Sequence, residues 1–539
     1  MSTTRYFPLD IESAKIYGIT KWQKDFFWPV SYQSYKEIET QIKQALNKLI
    51  QDNINNELSE LLLINYKIFL EYANFLYSLW VLKEVYRNGL TPLYGGSSIN
   101  FKGIIENGIP LKRILSAPSI DANSFIKQIR AKVTSAKVNW ALSKSLTAFL
   151  KKPLKPADFI TDPSLISGSL LPEYIRRRLN GRIRLKATQD WYSMSAGIRL
   201  SQNQKDKIDL LCKNLVQQVE QIAIGYDLKL TKLQYKYLAD ITVELLLPTM
   251  ICLEALKKYI SSLKPLHLFV GSSGNHFARM LSLAVRANGG RVTGFKHGEP
   301  AIYLSDYYSW LELSTADRFM TYTEHSARAI ESVGNIYPAL RANQVKIEGA
   351  ATRIFYDLWQ KESKKPLPKK IERVMVIAKN LKFDNKISYG QALPQLMQID
   401  LELRLVNILK KSGYTVIYKL HPDSNLHSDV LDFFDSKVQV VYEPLEEVMN
   451  YPDAFLFYHS NSTTFGPALC TNKPIIYINA GWEVWLPQVY ELIAKRCRIV
   501  SANFDQRNRL IVNEEELLDA LAGKPLEPDL EFANSYMFH

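Results

Sequence analysis

Between residues 415 and 479 the chain repeats one arrangement four times: a short apolar run that stops at a polar cluster. Thr415-Val416-Ile417-Tyr418-Lys419-Leu420 stops at His421-Pro422-Asp423, and Val438-Gln439-Val440-Val441-Tyr442 leads into Glu443-Pro444. Ala454-Phe455-Leu456-Phe457-Tyr458 ends at His459-Ser460-Asn461-Ser462-Thr463-Thr464, and Pro474-Ile475-Ile476-Tyr477-Ile478 ends at Asn479-Ala480-Gly481. None of the runs alternates strictly, so they predict strands of a parallel sheet buried on both faces. Helical patterns lie between them, which makes the connections βαβ. Each polar cluster then falls at the carboxyl end of its strand, where open α/β sheets bind ligands.

A chain of 539 residues is too long for one core, so two or three domains are expected. Apolar content of 47% with 22% charged residues is that of a globular protein and excludes a disordered one. The net charge of +13 favours an anionic partner: a nucleotide, a phosphorylated lipid, a membrane surface or a nucleic acid. A basic but inert surface accounts for part of that excess, and no recognised RNA or DNA motif supports a nucleic-acid partner. The first ten residues lack a basic start followed by an apolar core, so no signal peptide is expected. The most apolar stretches, 61–82 and 241–256, are interrupted by Lys67, Glu71 and Glu244 and read as buried helices rather than membrane spans. Cys212, Cys252, Cys470 and Cys497 show no close pairing, which fits a reduced cytoplasmic interior without a metal site.

The charged stretch 361–370 carries two prolines and reads as a linker. It separates an amino-terminal α/β domain with helical insertions, 1–360, from a carboxyl-terminal Rossmann-like domain, 371–539. In the first, helices are expected over 35–52, 61–88 (stopped by Gly89), 124–151, 204–225 and 232–263, with strands over 91–94 and 157–160. A βαβ unit follows, with strands over 266–270 and 291–295 around a helix over 277–287. A strand over 317–321, a helix over 325–333 and the run 345–349 close that half. In the second, a strand over 373–378 precedes a helix over 393–411 that stops at Ser412-Gly413. Asn513 and Glu516 resemble a capping box opening a last helix over 514–522.

Several clusters can carry chemistry. The loop Gly271-Ser272-Ser273-Gly274-Asn275-His276 opens a helix, and its N–H groups suit an anion, although its spacing is not the dinucleotide fingerprint. His297 and Glu299 follow a strand and could supply a base and an acid or orienting group; a capped loop is the bland alternative. At His421, Pro422 ends the ladder and fixes the chain direction, and an imidazole there can donate to a phosphate oxygen. The hydroxyls of Ser460, Ser462, Thr463 and Thr464 precede a helix start and suit a phosphate, while Glu443 could accept from ribose hydroxyls. Arg176-Arg177-Arg178, Arg182, Arg184 and Lys186, followed by Trp191-Tyr192, could dock an anionic acceptor or a lipid headgroup. A solvated face is the competing reading.

Two α/β halves with a nucleotide site in the second resemble the GT-B glycosyltransferase fold, in which two Rossmann-like domains face each other across a cleft. Tyr418-Lys419-Leu420-His421-Pro422 and Ser460-Asn461-Ser462-Thr463-Thr464 resemble the HP and Ser/Ser-Thr motifs of bacterial glycosyltransferases that use CMP-activated sugars. Sialyltransferase-like enzymes and the capsule-polysaccharide enzymes that transfer Kdo belong among these. The resemblance covers about 373–479, with a weaker echo over 266–349. It implies that His421, Ser462 and Thr463 hold the nucleotide phosphate, with Lys419 and Pro422 in the same nucleotide-binding site. Lys296-His297-Gly298-Glu299-Pro300 resembles the HG-x-P segment of CDP-glycerol glycerophosphotransferases, whose histidine is the proposed base. The chain departs from that family at Tyr458-His459-Ser460, where an aspartate usually precedes a serine pair. It departs from the sialyltransferase pattern by lacking a clear acidic-acidic-Gly triplet.

The resemblance thus implies a cytoplasmic, metal- and cofactor-independent transferase that moves a sugar from a nucleotide donor, CMP foremost, to a surface-glycan or lipid-linked acceptor. Peripheral association with the inner membrane is compatible with the basic cluster. His297 or Glu299 would deprotonate the acceptor, whereas a retaining route would use Glu299 or Asp306 as nucleophile. The alternatives are a CDP-glycerol-type glycerophosphotransferase, a sugar-nucleotide epimerase and a non-catalytic glycan-binding protein.

Overall fold

A computed structural model describes residues 5–54, 56–95, 159–161, 170–171, 173–174, 184–185, 198–263, 266–274, 276–296, 312–334, 345–350, 352–379, 393–421, 433–434, 438–460, 462–483 and 485–538. The expected helix over 124–151 and, apart from Arg184, the basic-aromatic cluster lie outside them.

Strand β1 (Tyr6–Pro8) pairs in parallel with β2 (Thr91–Leu93). Between and after them come helices Tyr32–Asp52, Glu57–Phe69, Glu71–Arg87, Gln202–Gly225 and Lys232–Ser261. The last two open with capping boxes: Ser201 and Thr231 each accept the N–H of a glutamine three residues on, whose side chain reaches back. Leu61, Leu62, Tyr72, Leu76, Leu215, Leu246 and Leu253 bury their side chains almost completely in one shared core. The single helix expected over 61–88 is instead two helices that meet at Leu70. Leu70 keeps right-handed helical angles and is itself buried, so neither a glycine, a proline nor a polar residue marks the break. Gly89 does end the second helix, with φ of +66°.

The first large sheet contains β3 (Phe159–Thr161), β4 (Arg184–Leu185), β5 (His267–Val270), β6 (Arg291–Phe295), β7 (Arg318–Thr321) and β8 (Lys346–Gly349). Its order is β4-β3-β5-β6-β7-β8, parallel throughout. The second contains β9 (Arg373–Ile377), β10 (Thr415–Lys419), β11 (Gln439–Val441), β12 (Ala454–Phe457), β13 (Ile475–Asn479), β14 (Arg498–Phe504) and β15 (Leu510–Val512). Its order, β11-β10-β9-β12-β13-β14-β15, is parallel except for the β14–β15 hairpin. The chain winds outward from β9 through β10 to β11, then returns to the other side of β9 with β12. That reversal opens a crevice between the carboxyl ends of β9 and β12. Every residue of β12 is buried, as a strand covered on both faces requires. The chain is therefore α/β with parallel sheets.

The β14–β15 hairpin was not apparent in the sequence. Asp505 Oδ1 accepts the N–H groups of Arg507 and Arg509 at 2.8 and 2.9 Å, and Asn508 takes φ of +54°. At the final helix, Glu514–Ala522, Asn513 does accept the Glu516 N–H, but the box is incomplete. The Glu516 carboxylate turns instead to the N–H and hydroxyl of Ser501. The stretch read as a linker begins inside helix Ile354–Glu362, and Lys365 donates to Asn450 Oδ1 at 2.7 Å.

Both chain ends pack against distant parts of the chain. Trp28 N–H donates to the Arg507 carbonyl at 2.8 Å, Asn508 Nδ2 donates to the Trp28 carbonyl at 2.8 Å, and Tyr32 stacks on Phe504. At the other end, a one-turn helix Glu531–Ala533 merges into a π-helical turn Asn534–Phe538. Ser326 donates to the Tyr536 carbonyl at 3.0 Å, and Phe538 lies against Tyr356 and Trp359. All four cysteines are free thiols. Among the described residues, no helix is long and apolar enough to cross a membrane.

Trp28 is 2% exposed and donates through Nε1 to Tyr77 OH at 3.0 Å. Trp28→Ala is expected to lower unfolding stability by about 3–5 kcal/mol, the usual cost of an aromatic-to-alanine cavity. Equilibrium denaturation in urea measures it, and a loss below about 1 kcal/mol would remove Trp28 from the core.

Candidate functional site

The crevice between β9 and β12 is floored by a carboxyl group. Glu402, from helix Gln395–Lys411, accepts from the hydroxyls of Tyr418 on β10 and Tyr458 just past β12, and from Gln398 Nε2 at 3.1 Å. Burial raises the Glu402 carboxyl above its usual range and pushes both phenols far up. Tyr458 OH also accepts the Lys379 N–H at 3.1 Å. One acid thus ties together the strands flanking β9 and Lys379, two residues past β9.

Above this floor stand side chains from successive strand ends. Lys379 lies two residues past β9, His421 two past β10, His459 two past β12, and Glu483 in the loop after β13. Lys379 is buried, which pulls its pKa down to about 7, with Glu483 opposing the shift. Burial holds the His459 imidazole well below its ordinary range, and the charges of Lys379 and His421 push the same way. His459 is therefore neutral at pH 7, and among the described residues its buried Nδ1 has no hydrogen-bond partner. Such an atom is costly unless something bonds it. The Ser460 N–H donates to both oxygens of Glu483 at 3.0 Å, and Tyr477 OH donates to Oε2 at 2.5 Å. Burial raises the Glu483 carboxyl as well.

The remaining residues singled out in the second half are less closely drawn in. Ser462 Oγ and Thr464 Oγ1 bond each other at 2.5 Å at the start of helix Phe465–Leu469, and Thr463 is exposed. Lys419 turns its ammonium to the Leu420 carbonyl at 2.6 Å. Glu443 is exposed and accepts the Tyr442 N–H at 2.9 Å; such backbone bonds hold its carboxyl below the usual range. Pro422 lies outside the described residues. His421 acts electrostatically on His459, the residue before Ser460, and Ser462 and Thr464 bond each other shortly beyond it.

In the first half, the loop after β5 already serves groups of its own chain. Ser273 N–H donates to the buried Glu312 at 3.2 Å, and Gly274 N–H to Ser272 Oγ at 3.3 Å. His276 Nε2 sits 3.3 Å from Thr249 Oγ1, and burial followed by the Arg279 charge brings its pKa down to about 4. Asn275, His297, Glu299 and Asp306 lie outside the described residues. Among the described residues, no group of three or more His, Cys, Asp or Glu is placed to share a metal ion.

No protein-family model matches the chain, and no curated protein matches it. The crevice is left to be read from its chemistry. It brings together two imidazoles, a buried ammonium and a strand-end N–H, all donors or cations apart from Glu483. Sequence reasoning missed Lys379, Glu402 and Glu483 as members of the site. The strand-end rule that selected His421 and Ser460 applies equally to Lys379 and His459. Glu402 had no such signal, since nothing local distinguishes it from any other acid on an apolar helix.

His276 also makes folding sensitive to acid. Its folded pKa of about 4 lies below the ordinary 6.5, so between those values the unfolded chain binds more protons. Its contribution is complete above pH 6.5 and is lost as pH falls towards 4. His276→Gln is expected to flatten the fall of Tm across this window in calorimetric scans; an unchanged slope refutes the assignment.

Proposed function

We propose that the chain is a nucleotide-sugar-dependent glycosyltransferase whose donor phosphate binds in the crevice between β9 and β12. The observation that carries this reading is the buried, unpartnered His459 Nδ1 beside Lys379 and His421 at the reversal of strand order. A phosphate supplies what that group lacks: oxygens to accept from neutral imidazole N–H, ammonium and backbone N–H together. His459 can offer its proton at either ring nitrogen, and Lys379, near half-protonation at neutral pH, gains its full charge once an anion sits beside it.

In the proposed reaction the bond between the anomeric carbon and the donor phosphate breaks, and its electrons remain on the phosphate. Fixed donors that meet this growing charge lower the barrier without reorganising. His421, His459 and Lys379 serve this purpose, with the Ser462 and Thr463 hydroxyls further out and Glu443 toward the ribose. The acceptor hydroxyl attacks the anomeric carbon and gives its proton to His297 or Glu299; in a retaining variant Glu299 or Asp306 attacks first. In this reading the two large sheets are the halves of a GT-B arrangement, 1–360 holding a surface-glycan or lipid-linked acceptor and 371–539 the donor. CMP is the expected nucleotide, by the resemblance of the segments around His421 and Ser460.

Thermal-shift and calorimetric titrations with CMP, CDP, UDP, GDP and cytidine test this. Nucleotide binding stabilises the folded chain by mass action. CMP is expected to raise Tm while cytidine, lacking the phosphate, does not. Losing one charge-assisted hydrogen bond of about 1.5–3 kcal/mol in His421→Ala should weaken CMP binding by roughly one to two orders of magnitude. No shift with any nucleotide sinks the proposal.

A further inference from the structure

We propose that Glu483 is a built-in competitor for the phosphate: its carboxylate holds the donors that a phosphate group uses, and a ligand must displace it. This rests on the nucleotide-phosphate reading of the crevice and adds to it a residue that sets which anions enter. The Ser460 N–H at the end of β12 donates to both Glu483 oxygens, 3.0 Å each, while Tyr477 OH on β13 donates at 2.5 Å. These are the contacts an oxyanion makes in a phosphate cradle, supplied here by the chain's own carboxylate. Lys379 lies close enough for its charge and that of Glu483 to act on each other.

Two considerations favour displacement over a permanent structural clamp. A phosphate dianion set beside an ionised carboxylate would put like charges within a few ångströms in a buried setting, which is strongly unfavourable. The site relieves this if Glu483 leaves. The other members of the crevice stand immediately after strands β9, β10 and β12, whereas Glu483 sits further along, in the loop after β13. Gly481, two residues before it, adopts φ of +72°, a conformation that glycine takes without strain. Glu483 is thus the group whose withdrawal disturbs the sheet least. Meanwhile the His459 Nδ1 has no hydrogen-bond partner among the described residues, so the carboxylate engages only part of the available donor set. A ligand phosphate that reaches His459 as well as Ser460 out-competes it, which favours a terminal phosphate over a small carboxylate such as acetate.

Isothermal titration of the full chain with inorganic phosphate and with CMP tests the proposal on wild type, Glu483→Gln and Glu483→Asp. Gln keeps one acceptor oxygen for Ser460 and Tyr477 but loses the charge; Asp keeps the charge but is one methylene short of the Ser460 N–H. Glu483→Gln is expected to bind inorganic phosphate about tenfold more tightly than wild type, the effect of relieving one like-charge contact, and Glu483→Asp is expected to bind it more tightly than wild type because the shortened carboxylate releases the Ser460 N–H. Should Glu483→Gln fail to fold, Glu483→Asp alone decides the matter. Wild type binding CMP while the folded variants bind phosphate equally or more weakly overturns the displacement role alone. Absence of CMP and phosphate binding in wild type and variants overturns the nucleotide-phosphate reading beneath it.

Discussion

The carboxyl terminus of the second sheet depends on one buried acid. An ionised carboxylate loses several kcal/mol of solvation when buried, and each hydrogen bond to it returns about 1.5–3 kcal/mol. Glu402 meets this condition with Tyr418, Tyr458 and Gln398, and the raised carboxyl pKa shows that burial still outweighs them. Because Tyr418 and Tyr458 belong to opposite flanks of β9, the network sets the spacing of three strand ends at once. Lys379 is placed by the same network through its N–H on Tyr458. The positions of the ammonium and the imidazoles above therefore follow from an interaction that itself takes no part in their chemistry.

Both sheets handle the exposed N–H at a strand end in the same way. After β5, Ser273 is covered by Glu312; after β12, Ser460 is covered by Glu483. The two differ in what lies around them. Glu312 is 2% exposed, whereas Glu483 is only partly buried and has Lys379 close enough for their charges to act on each other. A carboxylate in the first setting is part of the core. In the second it holds the donors that the proposed phosphate would use.

Much of this architecture was legible in the residues. Strands β9 to β13, the two capped helices Gln202–Gly225 and Lys232–Ser261, and the stops at Gly89 and Gly413 follow from local period and local backbone preference. The break at Leu70 was not, because an apolar helical pattern runs through it. The β14–β15 hairpin was not either: Arg498–Phe504 mixes polar and apolar residues, and its partner is fixed by a turn around Asp505. The terminal turn Asn534–Phe538 takes its π-helical form while burying Tyr536, Met537 and Phe538 against helices far away in the chain.

What the amino-acid order determined alone was the existence of the buried strands and the polar residues that end them. Run length, side-chain period and a proline or glycine stop act only on near neighbours. Strand order was decided by tertiary structure, since crossovers many residues long choose which strand lies beside which. That order puts Lys379 and His459 on adjacent strands and places Glu402 beneath both.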